Sequence, residues 1–311
     1  MAETLEGGAA GSVSGGQLRR FVLEGRPVRA FWVRLDEAWC ELRGLQRHAA
    51  AVDTLLGEAV TASVLLAATL KFHGRLTLQL QSTGPVRLLV AQCTHDFQIR
   101  AVAHANETTG MAAGFRDLVG DDGRLAVTIE ADERTARYQG IVALEGQSLA
   151  ACLESYFASS EQLPTRIALA AGTERATGVL LQRLPIPNTQ GEAHAALSHG
   201  AWEDLQLKLA ALGAPLLQSD AAEQALRRIC GVHEGRLFAG TPVRFACGCS
   251  RARVAQLLDA LGPQQVQEVL AEHGAVTVTC EFCGRPYRFD AIDVQGLFAG
   301  GAQPQAPGSV N

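Results

Sequence analysis

Four cysteines in two close pairs are the residues of this chain best suited to chemistry: Cys247 and Cys249 in FACGCS, and Cys280 and Cys283 in TCEFCGRPY. Four thiolates brought to one point satisfy the tetrahedral, soft-ligand preference of a structural zinc ion and leave no open position. The thirty residues between the pairs are enough for a helical hairpin that returns one pair to the other. The second pair has a two-residue gap and is followed by Gly284, which can turn tightly behind a metal because it lacks a Cβ. The first pair is tighter, with Gly248 alone between its cysteines. The spacing predicts one Zn2+ held by Cys247, Cys249, Cys280 and Cys283. His233 and His273 could be imagined as ligands, but four thiolates leave them no vacancy.

The stretch that must position these sulfurs runs over residues 241–298. It reads as a helix SRARVAQLLDALG, a second helix PQQVQEVLAEHG with Pro263 in its first turn, the strand AVTVTC, and a hairpin ending in RPYRFD. So short a segment buries little apolar surface, and a metal is the usual staple at that size. Arg251, Arg253, Arg285 and Arg288 lie close to the cysteines in sequence. They either offset the negative charge of a four-thiolate site or are ordinary solvated residues.

The whole chain has 311 residues and is 47% hydrophobic, enough for one large domain and a smaller one. Its formal net charge of −5 gives no general attraction to nucleic acid or to an anionic membrane. Residues 1–17, rich in Gly, Ala and Ser, read as a disordered leader rather than an export signal, and residues 299–311 as a low-complexity tail. The apolar run Ala59–Phe72 reads as a core helix too short for a membrane span. Eight cysteines without an export signal point to a reducing, cytoplasmic compartment. Cys40, Cys93, Cys152 and Cys230 stand alone among apolar neighbours and are expected to be buried.

Residues 18–190 read as one mixed α+β domain. RFVLEGRPVRAFWVRL gives two strands about a turn, Asp36 and Asp53 are candidate caps of two helices, and LTLQLQS, VRLLVAQC and FQIRAVAHA form a three-strand meander. The Gly-rich stretch 110–123 reads as a loop, and RLAVTIEA with ARYQGIVALEG as a hairpin tipped by Asp132-Glu133-Arg134. Ser148 caps a helix that Leu163-Pro164 ends, and two further strands follow. After the exit LPIPNTQGEAH, residues 191–240 read as a helical linker with Trp202, Leu205, Leu209 and Leu212 on one stripe, followed by a helix over Asp220–Ile229. Two helices make no core of their own, so the stripe must rest on something else. The residues favour permanent packing on the first domain over a detachable cover.

Three stretches closely resemble the 33 kDa chaperonin family, the redox-regulated heat-shock holdases of bacteria. They are the cysteine segment with Cys283-Gly284-Arg285-Pro286-Tyr287-Arg288-Phe289, the run LAACLESYFASSEQLPTR with the preceding RYQGIVALEG, and LLAATLKFHGRLTLQLQSTGP. The resemblance spans about 18–298. It implies an N-terminal chaperone core, a linker lying over it, and a zinc-binding redox switch. It further implies that the reduced, zinc-bound form is inactive, and that oxidation forms Cys247–Cys249 and Cys280–Cys283 disulfides and releases zinc. Switch and linker then lose structure, and an activated homodimer holds unfolded client proteins without ATP and without enzymatic chemistry. Trp202, Leu205, Leu209 and Leu212 become candidates for linker docking or client binding.

Elementary energetics agree with such a switch. Zinc contributes roughly 10–16 kcal/mol to small zinc folds, against a whole-domain stability of about 5–15 kcal/mol. Thiolates are also the species that oxidants attack. Two other functions are weighed against the holdase. A zinc-ribbon module for RNA or a ribosomal partner would want a basic face, yet residues 241–290 hold five Arg against five acidic residues. A thiol–disulfide oxidoreductase would place its CxxC at a helix start, whereas Cys283 runs into Gly-Arg-Pro and a strand.

Overall fold

The alternating segments of the first part become two six-stranded sheets. The computed structural model describes residues 16–106, 114–131, 138–185, 192–231 and 233–299. The leader up to residue 15, the hairpin tip Asp132-Glu133-Arg134, the exit residues 186–191 and the tail from residue 300 lie outside these.

β1 (Gly16–Leu23) and β2 (Val28–Leu35) form the opening hairpin, two residues ahead of the expected domain start. Helices α1 (Glu37–Gly44) and α2 (Ala50–Thr69) follow. The expected meander is β3 (Gly74–Gln81), β4 (Val86–Thr94) and β5 (Gln98–Ala105). The Gly-rich stretch expected as loop contains a short helix, α3 (Phe115–Val119). Next come the hairpin β6 (Arg124–Ala131) and β7 (Tyr138–Ala143), helix α4 (Leu149–Tyr156), and the strands β8 (Thr165–Ala171) and β9 (Ala176–Arg183). Ser148 caps α4 as read, accepting from the Ala151 amide at 3.1 Å, and the last turn widens to π geometry over Phe157–Glu161. Then come α5 (Glu192–Ser219), α6 (Ala222–Cys230), and three short strands, β10 (Gly235–Leu237), β11 (Thr241–Pro242) and β12 (Arg244–Phe245).

The first sheet has the order β10-β1-β2-β9-β8, with β11 also on β1; the second has β12-β5-β4-β3-β6-β7. Helix α2 packs on strands of both. Its Leu56, Val60, Val64 and Leu65 are fully buried, together with Leu76, Leu78 and Leu80 of β3 and Val33 and Leu35 of β2. A helix apolar on every side belongs in an interior.

Two details of α1 and α2 correct the sequence reading. Asp36 makes no cap hydrogen bond; its carboxylate takes Arg34 at 2.9 Å and Arg175 at 3.4 Å. Asp53 lies inside α2, three residues past its start, and accepts from Arg43 at 2.7 Å. Beginning at Ala50, the helix reaches 20 residues and is long and apolar enough to cross a membrane, so length does not exclude a span. Its packing does: 78% of the apolar stretch is buried in the core.

The described chain divides into two compact units, with the boundary between Ala246 and Cys247. The expected linker belongs to the first. Trp202, Leu205, Leu209 and Leu212 are all buried, at 4% exposure or less, against Phe21, Trp32, Val179 and Leu181 on the face of the first sheet opposite α2. Residues 241–246 also belong there, since β11 pairs with β1 and β12 with β5. The second unit holds α7 (Arg251–Leu261), α8 (Pro263–His273), the hairpin β13 (Val276–Thr279) with β14 (Pro286–Phe289), and α9 (Ala291–Ala299). No helix is predicted after Asp290 from the sequence. Its signal is there: Asp290 accepts from the Ile292 and Asp293 amides while Asp293 accepts from the Asp290 amide, a reciprocal cap.

Candidate metal centre

Each cysteine is placed by a local device. Cys247 and Cys249 lie in the segment that ends at Ser250, whose hydroxyl accepts from the Arg253 amide at 3.3 Å and starts α7. Cys280 follows β13 and Cys283 precedes β14 in a tight turn. There the Gly284 amide donates to the Cys280 carbonyl at 2.7 Å, and the Cys280 amide to the Arg285 carbonyl at 3.0 Å. Gly284 sits at φ 66°, a backbone that a residue with a Cβ enters only at a cost.

The four sulfurs lie within 4.8 Å of one another. Cys247 and Cys280 are 3.6 Å apart, and Cys249 and Cys283 3.3 Å. Sulfurs 2.3 Å from one zinc ion would be separated by about 3.8 Å, so the cluster fits that ion with small adjustments. Among the described residues no other group of three or more possible ligands is brought together. His233 instead faces Asp204 at 3.0 Å, and His273 lies beside Glu272 at 3.8 Å.

The thiols do not ionise alike. Burial opposes ionisation of Cys249, but a hydrogen bond from Tyr287 and then its three thiol neighbours outweigh it and bring it down to about 7. For Cys283, burial and then hydrogen bonds to the other thiols push it up to about 12, and burial also raises Cys247. Cys249 readily becomes a thiolate, whereas Cys247 and Cys283 lose their protons only when a cation takes their place. Sequence pattern alone assigns Tyr287 no role. It stands opposite Val278 in the hairpin, and its hydroxyl donates to Cys249 Sγ at 3.0 Å.

The arginines divide between the two readings. The Arg285 guanidinium is raised by its hydrogen bond to Tyr287 and by the charges of Tyr287, Cys249 and Cys283, which suits an offset of thiolate charge. Arg253 donates to the Gly248 carbonyl, bracing the loop between the first two ligands. Arg251 is structural: it donates to the Arg288 carbonyl at 2.6 Å, pairs with Asp293 at 2.6 Å and covers the Phe289 ring.

The unit around the sulfurs has a small core, formed by Val254, Leu258, Val266, Val276, Tyr287, Phe289 and Val294, with Cys249 and Cys280 packed against it. The remaining cysteines lie in the first unit. Cys93, Cys152 and Cys230 are buried, as expected. Cys40 is exposed, contrary to expectation, because α1 turns Ala38, Trp39 and Leu42 inward and leaves its neighbour outside.

Comparison with known proteins is consistent across three measures. A family profile described as "Hsp33 protein" matches residues 16–290. A 33 kDa chaperonin of Chromobacterium violaceum is 41% identical over 285 residues, 91% of this chain and 93% of that protein. One of Azotobacter vinelandii is 42% identical over 286 residues, covering 91% and 94%. The crystal structure of a Thermotoga maritima 33 kDa chaperonin, at 22% identity, superposes with a TM-score of 0.78 over 93% of this chain and 99% of that one, a likeness of fold.

Proposed function

This chain belongs to the Hsp33 family of 33 kDa chaperonins, and we propose that it is an ATP-independent holdase gated by oxidation of Cys247, Cys249, Cys280 and Cys283. The observation that carries this reading is the convergence of four sulfurs within 4.8 Å in a unit of small apolar core. A zinc ion there would hold the sulfurs as thiolates and cross-link a fold that its own core cannot stabilise.

Two disulfides form when a peroxide accepts two electrons for each pair of thiolates and leaves as water. The sulfurs then cease to be ligands. The pairing Cys247–Cys249 and Cys280–Cys283 follows the family resemblance. Without its cross-link, the second unit retains only the small cluster around Val254, Leu258 and Phe289 and unfolds. Trp202, Leu205, Leu209 and Leu212 then leave the first sheet, uncovering Phe21, Trp32 and Leu181 as an apolar face for non-native chains. The family resemblance makes the active form a homodimer, and eight cysteines in the sequence suit a chain made in a reducing, cytoplasmic compartment. The RNA-module reading gains nothing, since Arg251 and Arg253 are engaged within the unit.

A light-scattering assay without ATP tests the proposal. Peroxide-oxidised protein should suppress aggregation of heat-unfolded citrate synthase and reduced, zinc-loaded protein should not. Equal activity in both states, or none in either, rejects it.

A further inference from the structure

Sheet edges are unpaired rows of backbone N–H and C=O groups, and the chain guards most of its own. On β8, the Ile167 amide donates to the Glu154 carboxylate at 2.6 Å. The outer side of β5 is taken by β12, through Arg244 to Phe97 and Ala246 to Ile99. The outer side of β1 carries β10 and β11. At the far edge of the second sheet, β7 has β6 on one side, and among the described residues no strand or backbone hydrogen bond on the other.

The sequence of that edge, Tyr-Gln-Gly-Ile-Val-Ala over residues 138–143, has no charge and no proline, the two commonest guards. Ile141 is 61% exposed and Tyr138 44%. The strand is nonetheless held in place. The Tyr138 and Tyr156 hydroxyls lie 2.5 Å apart and 2.8 and 3.1 Å from one Glu161 carboxylate oxygen, and their two protons tie the three groups together. Tyr156 lies so close over Gly140 that a Cβ there would come within 2.3 Å of its hydroxyl. β7 is a fixed, open template.

We propose that the outer edge of β7 binds an extended, uncharged segment of a non-native polypeptide by strand addition. This rests on the holdase reading and adds a second contact to it. The edge itself dictates the chemistry of its occupant, because alternating N–H and C=O groups pair only with another extended backbone. Backbone pairing is tolerant of side-chain sequence, which suits a protein that must accept many clients. An added strand would set alternate side chains beside Gln139, Ile141 and Ala143, and the lack of charge along β7 favours apolar ones. A six-residue edge is marginal by itself. It strengthens binding once the client also engages the face uncovered under Trp202, since a second contact on the same chain acts at high effective concentration.

The test is amide hydrogen exchange on the oxidised full-length protein, with and without chemically unfolded citrate synthase. Residues 138–143 should exchange at least tenfold more slowly with client. Ile141→Lys, which places a charge on the edge, should weaken capture of that client about tenfold, the effect of withholding one aliphatic side chain from burial. Ile141→Thr, which preserves strand propensity, should bind several-fold better than Ile141→Lys and controls for folding, as does an unchanged thermal unfolding midpoint of the first unit. Unchanged exchange at 138–143 while wild type still captures client overturns the edge proposal alone. Slowed exchange without client, rising with protein concentration, overturns it by making a second copy the occupant. Failure of wild type to capture client at all removes the holdase reading and this proposal with it.

Discussion

The Tyr287 hydroxyl donates to Cys249 Sγ at 3.0 Å, linking the β13–β14 hairpin to a sulfur on the other arm of the cluster. This bond is the main force acting against burial to keep that thiol low, at about 7. Groups that hold a metal ligand in its ionised form typically govern affinity by 10- to 100-fold. Tyr287→Phe keeps the ring in the core and removes only the donor. Zinc affinity should fall roughly tenfold, read by competition with a chromogenic chelator at pH 7. Unchanged affinity would reduce Tyr287 to a packing residue.

Removing the metal should melt the second unit and leave the first standing. With apolar contact confined to a few residues around Leu258 and Phe289, the unit lacks the several kcal/mol that a lost zinc site takes away. Cys280→Ser, or a strong chelator added to wild type, should make residues 247–299 protease-sensitive within minutes. Residues 16–183 should stay resistant. Continued protection of the second unit would show that its fold does not depend on the four sulfurs.

The parts of this molecule legible in its sequence are those in which one local rule acts unopposed. Cys247, Cys249, Cys280 and Cys283 announce a cluster by spacing, and alternation along Leu76, Leu78 and Leu80 announces β3. Ser148 caps α4 because nothing competes for its hydroxyl. Asp36 and Asp53 look like equally good caps, but Arg34 and Arg175 take the Asp36 carboxylate, and α2 begins three residues ahead of Asp53, whose carboxylate pairs with Arg43. Cys40 sits in apolar company yet faces out, a matter of helical phase set by Trp39. β12 is only two residues long and is defined by β5, more than a hundred residues earlier, so no local pattern could disclose it. The role of Tyr287 needed the hairpin register, which places it opposite Val278 and within reach of Cys249.

Trp202→Asp tests whether the docked linker restrains the chaperone. Trp202 is 4% exposed against the first sheet, and truncating such a side chain costs about 3–5 kcal/mol before the penalty of burying a charge is added. Beside the leucines of its stripe the helix has few polar ties: Arg175 donates to the Gln218 carbonyl at 3.0 Å, Arg183 lies 3.5 Å from His199, and Asp204 meets His233 at 3.0 Å. The variant should suppress citrate synthase aggregation in the reduced state while retaining full zinc. Behaviour identical to wild type in both redox states would discard the restraint.

Glu58 sets a pH dependence within the core. Burial on α2 pushes its carboxyl up to about 7 from an ordinary 4.5. The folded state therefore prefers the protonated form. That preference is fully met below pH 4.5, and stability is lost as pH rises from there through about 7, by on the order of 3 kcal/mol. Glu58→Gln removes the ionisation and keeps the shape. Thermal unfolding of the first unit, followed by the fluorescence of its buried tryptophans Trp32, Trp39 and Trp202, should show little difference between variant and wild type at pH 5. At pH 8 the variant should melt several degrees higher. An equal gain at both pH values would mean that the substitution acts through packing, and that the Glu58 carboxyl does not titrate near neutrality.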